Sequence, residues 1–134
     1  MKIKDIMKTD LFTLHENDTI SDVSEVMKFK KIRHIPIVSD HYHLVGLVTH
    51  RDLLIGLAKK PSLVYVKDIM NKNVKAIEPE TPLKGAIDVM IVNKFGCLPV
   101  VDKERKLLGL VTEIDLLKCL YEVSTMPADY YTAK

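Results

Sequence analysis

The sequence predicts a mixed α/β (α+β) protein: two tandem βαββα units packed through their three-stranded sheets with pseudo-twofold symmetry. The main observation is an internal repeat, because residues 3–54 align without a gap with residues 66–117, and 17 of the 52 pairs are identical. Strand-like and helix-like segments also follow one another in the same order in both copies. At 134 residues the chain is long enough to bury a core as one domain or two very small ones.

Each copy begins with Lys-Asp-Ile-Met, which predicts a short helical entry turn. An extended stretch follows, Leu11–Leu14 in the first copy and Val74–Ile77 in the second, and we assign it as the first strand. Apolar residues at helical spacing then predict a helix in each copy, namely Ile20, Val23, Val26 and Met27, matched by Leu83, Ala86, Ile87 and Met90. We expect Asp18-Thr19 to begin the first of these helices, and Thr81, before Pro82, the second.

Two further strands and a second helix complete each copy. The strands are Ile35–Val38 and Leu44–Val48 in the first copy, and Leu98–Val101 and Leu107–Val111 in the second, each pair joined by a polar loop. Because proline has no N–H for a strand ladder, we place Pro36 and Pro99 at a strand end or edge. Apolar stripes predict the last helices, formed by Leu53, Leu54, Leu57 and Ala58, and by Leu116, Leu117, Leu120 and Tyr121.

These elements give the predicted organisation of the chain. Residues 1–60 form repeat 1, 61–65 a linker, 66–122 repeat 2, and 123–134 a C-terminal tail. A three-stranded sheet with both helices on one face leaves its other face bare. We therefore expect the two sheets to pack against each other.

Composition and charge exclude several classes of function. A net charge of +2 without a basic run argues against nucleic acid as a partner. No stretch reaches the roughly 18 apolar residues of a membrane span, and the charged N-terminus does not resemble a signal peptide. We expect a cytoplasmic protein in which Cys97 and Cys119 are buried thiols.

The phrase Gly-Leu-Val-Thr-x-x-Asp-Leu-Leu occurs at residue 46 and again at residue 109. Thr49 with Asp52, and Thr112 with Asp115, have the spacing of a capping box at a helix start. A helix start after a strand is equally a site for anions, and a carboxylate one turn later could accept hydrogen bonds from a ribose diol. In that interpretation Gly46 permits close backbone approach. The residues alone leave both interpretations open.

The duplicated pattern resembles the CBS domain, named for cystathionine beta-synthase, as the tandem pair called a Bateman module. The resemblance covers about residues 1–121, and the two Gly-x-x-Thr-x-x-Asp phrases carry it most specifically. It implies two βαββα units and a regulatory, non-enzymatic module that binds an adenosyl ligand between the repeats, with no metal required. Such ligands include AMP, ADP, ATP, S-adenosylmethionine and NAD-type dinucleotides. It also implies a homodimer through the helices.

The resemblance also implies site residues by position. Asp52 and Asp115 hold ribose hydroxyls, and Thr49 and Thr112 meet phosphate or ribose. Main-chain groups around Ile35-Pro36 and Leu98-Pro99, with Cys97, line the adenine pocket, and Thr13 and Ala76 border the same clefts. The basic residues Arg33, His34, His50 and Arg51 face phosphates.

The two copies differ where charge matters. Arg33-His34 and His50-Arg51 in the first copy correspond to Gly96-Cys97 and Glu113-Ile114 in the second. Arginine binds phosphate oxygens in pairs, so the basic cluster favours AMP, ADP or ATP over S-adenosylmethionine, unless these residues are simply solvated loop positions. Because Glu113 beside Asp115 would repel a triphosphate, we predict one strong site and one weak or empty site.

Three other functions have weaker support. A ligand-free dimerisation scaffold fits the surplus of apolar residues on the helices, notably Ile55 and Ile91. His41 and His43 could contribute to a metal site only with a third ligand, and two histidines in a hairpin loop are more simply a solvated surface. The sequence contains no motif of a small hydrolase. His50 and Asp52 do not suit acid–base catalysis, because at a helix start their side chains would point in different directions.

Overall fold

The computed structural model describes residues 1–59 and 65–123. Within these two ranges, four helices and four strands form two equivalent halves. In chain order they are α1 (Ile20–Lys30), β1 (His34–Val38), β2 (Leu44–Thr49), α2 (His50–Ala58), α3 (Leu83–Asn93), β3 (Cys97–Val101), β4 (Leu107–Thr112) and α4 (Glu113–Val123). The entry turns, Ile3–Asp5 and Val66–Asp68, are single turns of 3-10 helix, as the sequence predicted.

Each half contains one antiparallel hairpin, β1 with β2 and β3 with β4, in the same register. The first strand that we expected in each copy is reduced to a single parallel bridge, Leu14 with Ile37 and Ile77 with Val100. Leu14 N–H donates to Pro36 O, and Val38 N–H donates to Leu14 O. The next ladder bond would need an N–H on residue 36, and proline has none. Pro36 thus lies inside β1, not at its end, and keeps the Leu11–Leu14 segment from forming a longer strand beside β1.

The helix starts follow the sequence in three of four places. Thr19, Thr49 and Thr112 each accept a hydrogen bond from the backbone N–H three residues on, at 3.1, 3.2 and 3.3 Å. The prediction for Thr81 is wrong, because α3 begins after Pro82, which has no side chain that can cap. Pro82 adopts the extended conformation of a cap position, with φ −61° and ψ 147°.

The entry turns pack on the opposite repeat. Ile3 is fully buried in the core of the second repeat, among residues of α3, β3, β4 and α4. Val66 is fully buried in the core of the first repeat, beneath α1 and α2. Backbone bonds fix both turns, for example from Ile3 N–H to Thr81 O at 2.9 Å and from Val66 N–H to Asp18 O at 2.8 Å. Each repeat therefore completes its core with a segment that precedes the other.

A third apolar cluster joins the two halves. It combines side chains from all four strands with Val74, namely Val38, Leu44, Leu47, Cys97, Val101, Leu107 and Leu110. The hairpin loops also pair, because Leu44 N–H donates to Arg105 O and Leu107 N–H to Tyr42 O, both at 3.0 Å. The halves repeat each other even in backbone detail, since the positive-φ residues Lys31 and Tyr42 correspond to Lys94 and Arg105. The α+β class and the packing of the sheets against each other are confirmed.

Two segments that we predicted from sequence fall largely outside this description. Of the linker at 61–65 only Tyr65 is described, and of the tail at 123–134 only the backbone of Val123. Among the described residues, no helix is long and apolar enough to cross a membrane.

Candidate functional site

Two strand-to-helix corners, β2 to α2 and β4 to α4, have matching hydrogen bonds. Asp52 Oδ2 accepts from the N–H and the hydroxyl of Thr49, at 2.8 and 2.9 Å. Asp115 Oδ2 accepts the same pair of bonds from Thr112, at 2.9 and 3.0 Å. Both phrases are therefore complete capping boxes without any ligand, and each uses one of its two carboxylate oxygens in the box.

Between the two corners lies a cleft with a volume of about 800 Å³. Seven of the residues that we predicted from sequence line it, namely Arg33, His34, Pro36, Thr49, His50, Arg51 and Thr112. Residues of both repeats form its walls, because Gly96, Leu110 and Glu113 of the second repeat line it together with the basic residues of the first. A cleft of this size matches the volumes of small-molecule sites in proteins.

The walls of the cleft are more basic than acidic. Lys8, Lys31, Arg33 and Arg51 line it, together with two histidines, against the carboxylates of Asp10 and Glu113 only. The remaining wall is apolar and includes Leu11, Phe12, Ile32, Leu54 and Ile114. Such a cleft suits a ligand with one flat apolar part and one anionic part.

His34 and Glu113 meet across the boundary between the repeats. His34 Nε2 lies 3.1 Å, and Glu113 Oε1 3.5 Å, from the point where a side chain on Gly96 would begin. The absence of a side chain at Gly96, where the first repeat has Arg33, makes room for both. Burial lowers the pKa of His34, and Arg33 lowers it further, whereas Glu113 acts in the opposite direction.

Cys97 occupies the position in the second repeat that His34 occupies in the first. It is buried between the sheets, and burial, with Glu113 nearby, raises the pKa of its thiol to about 12. Its sulfur therefore carries no negative charge at neutral pH.

The other residues predicted from sequence do not line this cleft. Ile35, Leu98 and Pro99 are fully buried. Thr13 and Ala76 are half-buried at the bridge segments. Asp52 is half-buried and Asp115 is 8% exposed, and each lies one turn behind its threonine. The structure thus gathers the threonines and basic side chains on one surface and keeps both aspartates just beneath it.

The role of Gly46 differs from the one we expected. A side chain there would meet Met70 Sδ at 2.6 Å and Asn71 O at 3.2 Å, and one on Gly109 would meet Met7 Sδ at 2.7 Å and Lys8 O at 2.8 Å. These glycines therefore admit the segment that follows each entry turn. They do not open the backbone to a ligand.

Several cleft residues were not predicted from sequence, among them Lys8, Phe12 and Lys31. Lys8 and Phe12 follow the entry turn, and nothing local in the sequence shows that this segment crosses to the other repeat. A usable signal was present, because both positions differ between the copies, with Asn71 and Lys75 as their counterparts. Among the described residues, no group of three or more His, Cys, Asp or Glu side chains could hold a metal ion, and His41 is exposed.

Comparison with known proteins decides the family. The family model for the CBS domain matches the chain twice, at residues 3–59 and 66–122. The chain belongs to the CBS domain family. The resemblance seen in the sequence is confirmed: each repeat is a CBS domain, and the two together form a CBS domain pair.

Three similar proteins place this CBS pair among its relatives. A homoserine O-acetyltransferase of Methanohalobium evestigatum is 37% identical over 120 residues, 90% of this chain, but the match spans only 24% of that enzyme. A CBS domain pair solved with 5′-methylthioadenosine and S-adenosyl-L-methionine is 29% identical, with a TM-score of 0.84, covering 91% of this chain and 97% of that one. The CBS-pair protein CBSX2, solved with AMP, is 27% identical with a TM-score of 0.85, over 91% and 97% of the two chains.

Proposed function

We propose that this CBS pair is a regulatory sensor that binds an adenine nucleotide, AMP, ADP or ATP, in the cleft between its repeats. The observation that carries the proposal is the position of the cleft, which lies between two Thr-x-x-Asp corners and has a basic wall on one side. Neighbours of the same fold were solved with AMP and with S-adenosyl-L-methionine, which supports an adenosyl ligand.

Each part of such a ligand has a matching surface. The phosphate would meet Arg33 and Arg51, whose guanidinium groups are exposed and can bind phosphate oxygens in pairs. The ribose diol would donate to an aspartate through the carboxylate oxygen that its threonine leaves unused. The adenine would lie against Pro36 and neighbouring apolar residues. No metal is needed for any of these contacts.

The charges of the cleft favour a monophosphate. Four Lys and Arg side chains attract an anion, but Glu113 lines the same cleft and would repel a long phosphate chain. AMP is therefore our first candidate, before ADP and ATP. S-adenosylmethionine, which carries positive charge, and NAD-type dinucleotides are the alternative ligands.

The output would be a change in the arrangement of the lobes or of a homodimer. The helices α2 and α4 expose large apolar side chains, with Leu54, Leu57, Ile114, Leu117 and Leu120 each 53 to 60% exposed. Leu54 and Ile114 also line the cleft, so a ligand would contact the same helices that offer a surface to a second copy. A ligand shifts such an equilibrium only by binding one arrangement more tightly than the other.

A dimerisation scaffold without a ligand is the second candidate. One observation favours it: both aspartates accept hydrogen bonds from their own threonines, so each has a structural role in capping its helix. The scaffold also uses the apolar faces of α2 and α4. The sensor would act on a separate regulated protein, and the cytoplasmic location stays a prediction in either case.

A thermal-shift series on protein that has been unfolded and refolded separates the two candidates. AMP, ADP, ATP, S-adenosylmethionine and NADH are tested on the wild type, on Asp52→Ala and Asp115→Ala, and on Asp22→Ala. Asp22 forms the same capping box with Thr19 away from the cleft, so its loss costs the same capping energy, about 1 kcal/mol, without touching the site.

The sensor hypothesis predicts that an adenosyl ligand at 100 times its Kd stabilises the wild type and Asp22→Ala by about 2.7 kcal/mol. At least one of the two cleft variants loses this shift. If no ligand moves the midpoint of the wild type at millimolar concentration, the scaffold is the correct function.

A further inference from the structure

The two Thr-x-x-Asp corners differ in one contact. Lys8 Nζ lies 3.5 Å from Asp115 Oδ1, the carboxylate oxygen that Thr112 leaves unused. The Asp115 side chain is 7% exposed, so this ion pair engages an oxygen that has little other access to solvent. Among the described residues, no basic side chain forms an ion pair with Asp52.

The backbone that carries Lys8 is the same in both repeats. Lys8 exchanges two hydrogen bonds of 3.0 Å with Leu110, and Asn71 exchanges two with Leu47, of 2.9 and 3.0 Å. Gly109 and Gly46 make both close approaches possible. The two corners are therefore built alike up to the side chain that follows Met7 or Met70.

Only the side chain differs. The lysine is long enough to reach the carboxylate beneath the cleft wall. Asn71 is shorter and neutral, and its Oδ1 accepts from the backbone N–H of Asn73 at 3.1 Å, within its own loop. Both oxygens of Asp115 thus have partners, whereas Asp52 Oδ1 has none within residues 1–59 and 65–123 and is available to an incoming donor.

We propose that Lys8 acts as a built-in occupant of the Asp115 corner, so that only Asp52 is open to a ribose diol. This inference rests on the proposed function and adds to it the choice of corner. A ribose hydroxyl at Asp115 has to displace an ammonium group from Oδ1, and a neutral hydroxyl competes poorly with a cation for a carboxylate. Lys8 thereby sets the number of ligands that the pair binds.

A calorimetric titration with AMP, on unfolded and refolded protein, tests this with an exchange between the repeats. Lys8→Asn gives the second corner the side chain of the first, and Asn71→Lys does the reverse. Lys8→Arg keeps the positive charge and is the conservative control. The Asp115→Ala change added to Lys8→Asn shows where any new ligand binds.

We expect the wild type and Lys8→Arg to bind one AMP per chain, and Lys8→Asn to bind two, with the second lost on adding Asp115→Ala. Asn71→Lys should weaken the wild-type event by at least about fivefold, the effect of a modest ion pair. If the wild type binds AMP and Lys8→Asn binds only one AMP, or binds it less tightly, the inference is wrong and the proposed function stands. If neither the wild type nor any variant binds AMP, or ADP or ATP in the same titration, the proposed function fails as well.

Discussion

At the scale of single residues, the Thr-x-x-Asp corners combine two roles in one set of atoms. The threonine hydroxyl accepts the backbone N–H of the aspartate, the third residue of the helix, and donates to one oxygen of that aspartate's carboxylate, which leaves one carboxylate oxygen per corner for another partner. Both interpretations of the phrase that the sequence left open are therefore compatible with one geometry. The residue spacing predicted the box, but only the fold shows that Lys8 reaches one of the two aspartates.

His34 gives the fold a predicted dependence on pH. Burial lowers its pKa in the folded state, whereas in the unfolded chain it returns to the ordinary value near 6.5. Below that pH the unfolded state binds more protons than the folded state, so stability is greatest above about pH 6.5 and falls as the pH drops. Urea unfolding of the wild type from pH 7.5 to 5 should show this slope.

The variant His34→Asn should flatten that slope, and His41→Gln on the exposed hairpin loop is the matched control. Because His34 is only partly buried, its share should stay well below the ceiling of about 1.4 kcal/mol per pH unit for one proton. An unchanged slope in His34→Asn would assign the pH dependence to other groups.

At the scale of elements, the segments after the entry turns pass so close to β2 and β4 that only glycine fits there. A methyl group at position 109 would lie 2.8 Å from the backbone oxygen of Lys8, and one at position 46 would lie 3.2 Å from that of Asn71. The methionine sulfurs nearby can move. The carbonyls of Lys8 and Asn71 move only with their segments, because each of these residues exchanges two ladder bonds with the neighbouring strand.

Gly109→Ala should therefore destabilise the protein by about 2 kcal/mol, and Gly46→Ala by less. Gly85→Ala, inside α3, is the control, because a methyl group there meets only Thr81 Cγ2, at an ordinary contact distance of 3.6 Å. Alanine at this helical position should stabilise the protein by about 0.5 to 1 kcal/mol. Chemical denaturation measures all three. A Gly109→Ala protein as stable as the wild type would show that the Lys8 segment is not held where the structure places it.

Most of the helices and strands could be predicted from the sequence. Helical periodicity placed α1 to α4, and the paired apolar runs placed β1 to β4, because those signals are local. The length predicted for the first strand of each copy was wrong, since that length depends on which side of β1 the missing N–H of Pro36 faces. The cap position of α3 at Pro82 was also missed, because threonine and proline both favour a helix start and the sequence does not rank them.

At the scale of the whole molecule, the repeats depend on each other. Ile3 and Val66 each fill the core of the opposite repeat, and a third cluster joins all four strands. The gapless repeat predicted two equal halves, but not this exchange, which no local pattern encodes. A ligand in the cleft would touch both halves and the segment that crosses between them. That is the physical basis for a sensor in this account.

A crystal structure grown with AMP is the decisive test of whether the cleft between the two corners binds an adenine nucleotide. We expect one AMP per chain, with its phosphate at Arg33 and Arg51, its ribose on Asp52, and Lys8 still paired with Asp115. AMP on Asp115 alone, AMP outside this cleft, or a cleft without nucleotide at saturating AMP would show that the proposed site is wrong.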